Sequence, residues 1–228
     1  MKIAVLGTGM VGRALAGRLA GLGHDVVVGT RDVEQTLART EPGSMGTPPY
    51  ADWQQANPAM RLVPFHEAGA HGELVLNATA GAQAMAALEA TGASNLTGKV
   101  LLDLAIPLDF SQGMPPQLTV ANTDSLGEQI QRAFPDTRVV KALNTVFVEV
   151  MIDPSRVPCA HTIFVAGDDT GAKEVVKGLL GEFGWPAEWI IDLGTIRAAR
   201  ATEMYMQLYF NLVNVLDTFD FNIAVVRR

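Results

Sequence analysis

An apolar run, Ile3-Ala4-Val5-Leu6, leads without a spacer into Gly7-Thr8-Gly9-Met10-Val11-Gly12, and a helical pattern with Val11, Leu15, Leu19 and Leu22 on one face follows. Glycines spaced G-x-G-x-x-G between a strand and a helix leave little choice of fold. Gly7 allows the tight turn, Gly9 keeps the backbone bare, and Gly12 lets the helix pack close to the strand. The free N–H groups and positive dipole end of that helix then suit an anion such as a pyrophosphate. The expectation is a dinucleotide-binding βαβ unit, with glycines that serve only a turn as the alternative.

The rest of the chain extends the same rhythm. Strands are expected near 2–6, 25–29, 61–63, 73–77, 99–104, 138–142, 161–166 and 188–191. Helical patterns lie near 10–22, 32–40, 81–90, 125–133, 145–151, 169–182 and 195–216. This alternation predicts an α/β fold, a Rossmann-like doubly wound and mostly parallel sheet, with a small C-terminal α/β part. The 228 residues, 48% of them hydrophobic, suffice for a sizeable core. Pro154 and Pro158 suggest a boundary, with a nucleotide domain over 1–143 and a smaller substrate and dimerisation part over 144–228. The Pro- and Gly-rich stretch from Glu41 to Pro58 reads as an irregular loop with at most one helical turn around Trp53. The stretch from Pro107 to Asn122 follows a strand directly, where functional loops of open sheets sit.

Seventeen basic against 24 acidic residues give a net charge of −7, which excludes the electrostatic footprint of a nucleic-acid binder. No apolar stretch reaches membrane-spanning length, and the N-terminal run is too short for a secretory leader. A single cysteine, Cys159, can form no internal disulfide and reads as a small buried thiol. A cytoplasmic protein with a small-molecule substrate is expected.

Cofactor choice is read from the end of the second strand. An NAD site places Asp or Glu about 20 residues beyond the glycines to accept from the ribose 2′-OH. Here Thr30 lies 18 residues past Gly12 and Arg31 follows it. A hydroxyl beside a guanidinium suits a 2′-phosphate, which favours NADP over NAD. Asp32 would repel that phosphate unless it caps the next helix, and Arg31 could instead be a solvated residue at that helix start.

Other chemistry lacks its handles. His66 and His71 stand five apart, the wrong spacing for one helix face, and His24 and His161 suit surface or satisfied-core roles, so no metal site is expected. There is no G-x-S-x-G elbow and no Walker A sequence. Asp168-Asp169, before a helical run, reads as a helix cap. The strand ends Asn77-Ala78-Thr79-Ala80-Gly81, Asp103-Leu104-Ala105-Ile106-Pro107 and Ala142-Leu143-Asn144-Thr145-Val146 are small and neutral. Together they outline a pocket without an acid or base, although each alone could be a capped strand–helix junction. Hydride transfer needs no such group, because the cofactor carries the chemistry and the protein aligns it.

The glycine loop, Gly29-Thr30-Arg31, Val139-Val140-Lys141-Ala142-Leu143-Asn144-Thr145, Ala166-Gly167-Asp168-Asp169 and Arg200-Ala201-Thr202-Glu203 together resemble the NADPH-dependent F420 reductase family, the F420-dependent NADP oxidoreductases. The resemblance runs nearly end to end. It implies an NADP-binding Rossmann domain, a C-terminal part closing over the site, and hydride exchange between NADPH and the deazaflavin coenzyme F420. Thr8, Met10, Val11, Thr30 and Arg31 would hold the phosphates. Asn77, Ala78, Thr79, Ala105 and Pro107 would line the ribose–nicotinamide side, while Asn144 and Val146 would approach the deazaflavin. Two features depart from the pattern. Glu34, Gln35 and Thr36 stand where a basic residue often follows Arg31, and Asn144 stands where characterised archaeal members have His.

Three rivals remain in view. A β-hydroxyacid dehydrogenase or imine reductase shares the glycine motif, but the hydroxyacid enzymes need a helical Lys, and none follows Lys177. A flavin or ferric reductase needs few catalytic side chains, and a non-catalytic NADP sensor needs none. Near the C-terminus, Leu208, Leu212 and Val215 are expected to face the core from one helix. Phe219, Phe221 and Ile223 alternate as an edge strand that could pair across a homodimer.

Overall fold

The computed structural model describes residues 1–227, leaving aside the Ser44 side chain. Its strands are β1 (Lys2–Leu6), β2 (Asp25–Thr30), β3 (Arg61–Pro64), β4 (Leu74–Asn77), β5 (Val100–Asp103), β6 (Leu108–Asp109), β7 (Gln117–Leu118), β8 (Arg138–Ala142), β9 (Ile163–Ala166) and β10 (Ile190–Asp192). Its helices are α1 (Met10–Gly21), α2 (Val33–Ala38), α3 (Tyr50–Ala56), α4 (Phe65–His71), α5 (Gly81–Thr91), α6 (Ala93–Leu96), α7 (Leu126–Ala133), α8 (Val148–Ile152), α9 (Thr170–Phe183), α10 (Ala199–Met204) and α11 (Met206–Leu216).

Eight strands form one sheet in the order β3-β2-β1-β4-β5-β8-β9-β10, and β6 and β7 make a separate hairpin. All neighbours in the large sheet are parallel except β8 and β9, which pair antiparallel through Lys141↔Ala166 and Ala142↔Val165. The sheet therefore runs on past residue 143. The mostly parallel Rossmann-like expectation holds. The chain moves outward from β1 to β2 and β3, then returns to β4 on the other side of β1, where Leu6 stands between Gly29 and Asn77. Beyond the carboxyl end of β1 lies the crevice in which open α/β sheets receive ligands.

β1 shows why the apolar run is unbroken rather than alternating. Ile3 and Val5 pack on one face with Leu15 and Leu19 of α1 and Val176 of α9, while Ala4 and Leu6 pack on the other with Leu88 of α5 and Ile130 of α7. A strand covered on both faces must be apolar at every position. Each such leucine, fully out of water, contributes roughly 1.5–3 kcal/mol. Caps set the helix starts: Asp32, Ser125 and Asp169 accept from Gln35, Glu128 and Ala172 N–H groups. Asp168 accepts from Ile196 N, so the acidic pair is structural, as expected.

Several expectations need correction. α4 and α6, of seven and four residues, are too short to leave a periodic signal and were not anticipated. The run 195–216 is divided into a 3₁₀ turn at Ile196–Ala198, α10 and α11. On α11 the buried side chains are Met206 and Tyr209, whereas Leu208 and Val215 are 54% and 80% exposed and Leu212 is half-buried. The helix turns its aromatic side inward because Tyr209 stacks on Phe221 at 5.1 Å. The Phe219–Ile223 edge strand does not form. Its side chains act as pegs instead: Phe219 stacks on Phe147, Asp220 pairs with Arg156, and Asn222 bonds His161 and the Thr162 carbonyl. Cys159 is exposed, since it lies in an irregular loop between Pro158 and β9 rather than against the core.

Candidate active site

The glycine loop occupies the crevice at the end of β1. Gly7 takes φ +118°, and a side chain there would also strike the Ala78 carbonyl at 2.7 Å. Gly12 sits so close to the loop that a Cβ would lie 2.1 Å from the Gly7 oxygen, which holds α1 against β1. Gly9 is the opposite case: a Cβ there would meet nothing within 4 Å, so bare backbone faces open space.

That space is a cavity of about 520 Å³ between the ends of β1, β2 and β4, lined by Gly7, Thr8, Gly9, Thr30, Arg31, Ala78 and Thr79 among others. Thr30 is buried, and its hydroxyl meets that of Thr36 at 2.8 Å. The Thr36 hydroxyl donates to the Asp32 carbonyl and Thr30 to Thr36, and an anion in the cavity would be met by turning the Thr30 hydroxyl proton toward it. Arg31 reaches across the mouth and donates to Gln83 Oε1 at 2.8 Å. Asp32 caps α2.

Arg39, at the end of α2, also lines this cavity and was not anticipated, because it falls outside the short window after Arg31 where a basic residue was sought. The Glu41–Pro58 stretch is likewise more than a loop. Arg13 donates to the carbonyls of Thr8 at 2.7 Å and Pro48 at 2.6 Å, and its guanidinium lies over the Tyr50 ring. Burial lowers the Arg13 pKa, with Tyr50 and Asp52 opposing. Burial raises that of the Tyr50 phenol, with Arg13 opposing. The stretch is thereby fastened to the phosphate loop and walls a second cavity of about 220 Å³, which Thr8, Gly9, Met10, Thr36 and Arg39 also line.

On the other side, Ala78, Thr79 and Ala80 lead into an apolar slot of about 180 Å³ with Val11, Gly81, Leu104, Ala105, Ile106, Leu108 and Met151. None of its lining residues is ionisable. Gly81 lets α5 approach the Ile106 carbonyl, where a Cβ would lie 2.0 Å from the oxygen. Met151, brought by α8, and Leu108, at the base of the β6–β7 hairpin, were not anticipated as lining residues.

Other expected site residues turn inward. Asn77 is fully buried; it donates to Asp103 Oδ1 and accepts from the Thr79 hydroxyl at 2.6 Å, so it shapes the Ala78–Thr79 turn from beneath. Pro107 is buried, and its carbonyl accepts from Thr119 N. Val146 belongs to the core. Asn144 is 2% exposed, and its Nδ2 has no partner, nor has the Thr145 hydroxyl. The preceding Leu143 is held at φ +65°, a strained conformation for a branched residue. None of these three residues lines the cavities described above.

Behind these strand ends lies a fully buried charge cluster. Lys141 pairs with Asp103 at 2.8 Å and Glu203 at 2.9 Å, and donates to the Ala105 carbonyl. Glu203 also accepts from the N–H groups of Leu126 and Gly127, capping α7 from α10. Burial pulls the Lys141 pKa down, but the Asp103 and Glu203 carboxylates outweigh it and hold it above the ordinary value. The cluster fixes the wall of the apolar slot through Ala105.

The family described as NADP oxidoreductase, coenzyme F420-dependent, matches residues 2–107. A crystal structure from Arthrobacter sp. FB24, of a protein provisionally named an F420-dependent NADP-reductase, is 51% identical, with all of both chains covered and a TM-score of 0.94. The chain belongs to the F420-dependent NADP oxidoreductase family. Among other members, the F420-dependent NADP reductase of Methanothermobacter marburgensis is 28% identical over 216 residues, 93% of this chain and 92% of the archaeal protein. The rat metalloreductase STEAP3 is 25% identical over 202 residues, but the chain spans only 36% of its length. The family's members are NADP oxidoreductases dependent on coenzyme F420.

Proposed function

We propose that this chain transfers hydride between NADPH and the deazaflavin of coenzyme F420. The observation that carries the reading is the continuity of an arginine-flanked cavity at a bare glycine loop with an apolar slot free of ionisable side chains. The residues fit the groups that the family implies: at Gly9 the backbone stays open where a side chain would intrude, and the unpartnered Asn144 amide waits at a strand end. When bound, NADPH supplies the hydride and the oxidised deazaflavin takes it.

The chain's own part is binding, orientation and exclusion of water. Backbone N–H groups of the Gly7–Gly12 loop and the α1 dipole hold the pyrophosphate. Thr8, Thr30 and Arg31 hold the adenosine phosphate, with Met10 packing beneath. Ala78, Thr79, Ala105 and Val11 line the slot for the nicotinamide, which Asn77 and Pro107 shape from behind. Asn144, buried but with an unpartnered Nδ2, would turn that N–H to a polar edge of the acceptor, and Val146 keeps that loop in place. Aligning two flat rings in a dry slot supplies the entropic part of the rate enhancement without an acid or base.

The test is NADPH oxidation followed by absorbance with F420, free flavin or ferric chelate as acceptor. Discharge to F420 alone is expected. The similarity to STEAP3 favours a flavin or ferric acceptor as the second reading, and discharge to those in preference to F420 would establish it. NADPH binding without turnover on any acceptor would leave an NADP sensor.

Two further readings accompany the activity. The division into a nucleotide part at 1–143 and a substrate part at 144–228 is supported by the Asn144 loop and by the Phe219–Phe147 stack, which brings the C-terminal segment over it. The chain is read as cytoplasmic, and a homodimer is supported by the exposed Leu208, Val215 and Leu216 on α11, an apolar face of the kind that pairs with a second copy. Among the described residues no helix is long and apolar enough to cross a membrane. A monomer in light scattering at micromolar concentration would remove the dimer.

A further inference from the structure

Recognition of NADP in preference to NAD requires cations against a dianionic phosphate, and Arg31 alone faces it together with an adverse carboxylate. Asp32 lines the same cavity as Arg31, and the positions after it, Glu34, Gln35 and Thr36, supply no positive charge. The helix carries one a turn later. Asp32 and Arg39 flank α2 as its N-cap and C-cap, Gln35 and Thr36 lie on it, and all four line the 520 Å³ cavity. Arg39 is also part of the wall shared with the 220 Å³ cavity, along with Thr8, Gly9 and Thr36.

Of the neighbouring arginines, Arg13 is committed, and Arg31 is partly so, keeping its other N–H groups for the cavity. Arg13 donates to the Thr8 and Pro48 carbonyls, and Arg31 donates to Gln83. Arg39 makes no side-chain hydrogen bond or ion pair among the described residues, although Glu41 lines the smaller cavity beside it. A guanidinium without a partner, facing a cavity beside two threonine hydroxyls, is a ready fork for phosphate oxygens.

We propose that Arg39 is a specificity-determining residue: with Arg31 and Thr30 it grips the 2′-phosphate of NADP, doing from the end of α2 what a basic residue among positions 34–36 would do earlier in the helix. The inference rests on the NADP reading above. A cation at the C-cap of a helix also complements the helix dipole, and that role would affect stability without touching cofactor choice.

The experiment measures NADPH and NADH affinities by calorimetry, with no acceptor present, for the wild-type chain, Arg39→Ala and Arg39→Lys. The Ala variant should bind NADPH about 10- to 100-fold more weakly, as loss of a charge-assisted hydrogen bond predicts. NADH affinity should stay within about two-fold. The Lys variant should recover most of the preference, since it restores the charge. Equal losses for both nucleotides, an unchanged NADPH affinity, or a Lys variant as indifferent as the Ala one would overturn the role of Arg39. A wild-type chain that does not prefer NADPH would overturn the NADP reading itself, and the role of Arg39 with it.

Discussion

Gly9 and Gly12 stand three residues apart in one loop, and the structure assigns them opposite costs of substitution. Gly9 caps α1 with φ −77° and ψ −176°, extended backbone that any residue adopts, and an added Cβ touches nothing. In Gly9→Ala the stiffer unfolded chain contributes about 0.4–1 kcal/mol of stability, and the weaker cap costs a similar amount. Folding stability should therefore change by less than about 1 kcal/mol. In the proposed binding mode, however, the methyl group would project where pyrophosphate oxygens reach the amides. Losing one charged hydrogen bond, about 1.5–3 kcal/mol, weakens NADPH binding roughly 10- to 150-fold, and the larger Gly9→Val should abolish it. In Gly12→Ala the Cβ would lie 2.1 Å from the Gly7 oxygen, against a normal carbon–oxygen approach of about 3.3 Å. Helix α1 must retreat by about 1 Å, at a cost near the upper end of the usual 1–3 kcal/mol for overpacking. In a domain of this size that lowers Tm by roughly 6–12 °C. Thermal melts and NADPH calorimetry on the same two variants separate the effects. A Gly9→Ala chain that binds NADPH like the wild type would refute the assignment of the open backbone to the pyrophosphate. A Gly12→Ala chain of unchanged Tm would refute the close approach.

Arg31→Ala should weaken NADPH by about 1.5–3 kcal/mol and leave NADH nearly unaffected; an equal loss for both nucleotides would mean that Arg31 serves only its bond to Gln83. Lys141→Met leaves Asp103 and Glu203 buried and facing each other, and should cost about 3–5 kcal/mol in urea denaturation. Both carboxylates keep neutral N–H donors, so a loss below about 1 kcal/mol would show that those donors carry the cluster. Arg200 holds the Glu128 carboxyl below its usual range. A depressed folded pKa contributes stability above the unfolded value of about 4.3 and loses it as pH falls through the folded one. Glu128→Gln should accordingly flatten the acid limb of stability between those values, and an unaltered limb would remove Glu128 from acid unfolding.

Signals that act over a few residues were legible in the chain. The strand–glycine–helix unit, the eight strands of the large sheet, and the caps at Asp32 and Asp169 follow from apolar runs, turn chemistry and short polar side chains beside free N–H groups. A strand buried on both faces announces itself because no polar residue can stand in it. Short helices such as α6 left no such trace, since four residues contain barely one period.

What tertiary structure decided was the direction and partnership of polar side chains. Asn77 and Thr79 are equally polar at one strand end, yet Asn77 turns beneath the sheet end because Asp103, 26 residues away in sequence, lies beside it. Arg39 reaches the cavity only because α2 is short and ends beside the glycine loop, and Lys141 is tolerated in the core only because two distant carboxylates converge on it. The C-terminal segment reads as a strand by alternation, yet it is pinned by Phe147, Arg156 and His161, which no local pattern reveals. Local rules carry the free energy of backbone conformation and are written residue by residue. The cost of burying a charge or an amide depends on what arrives from elsewhere in the chain, and that is settled only when the chain has folded.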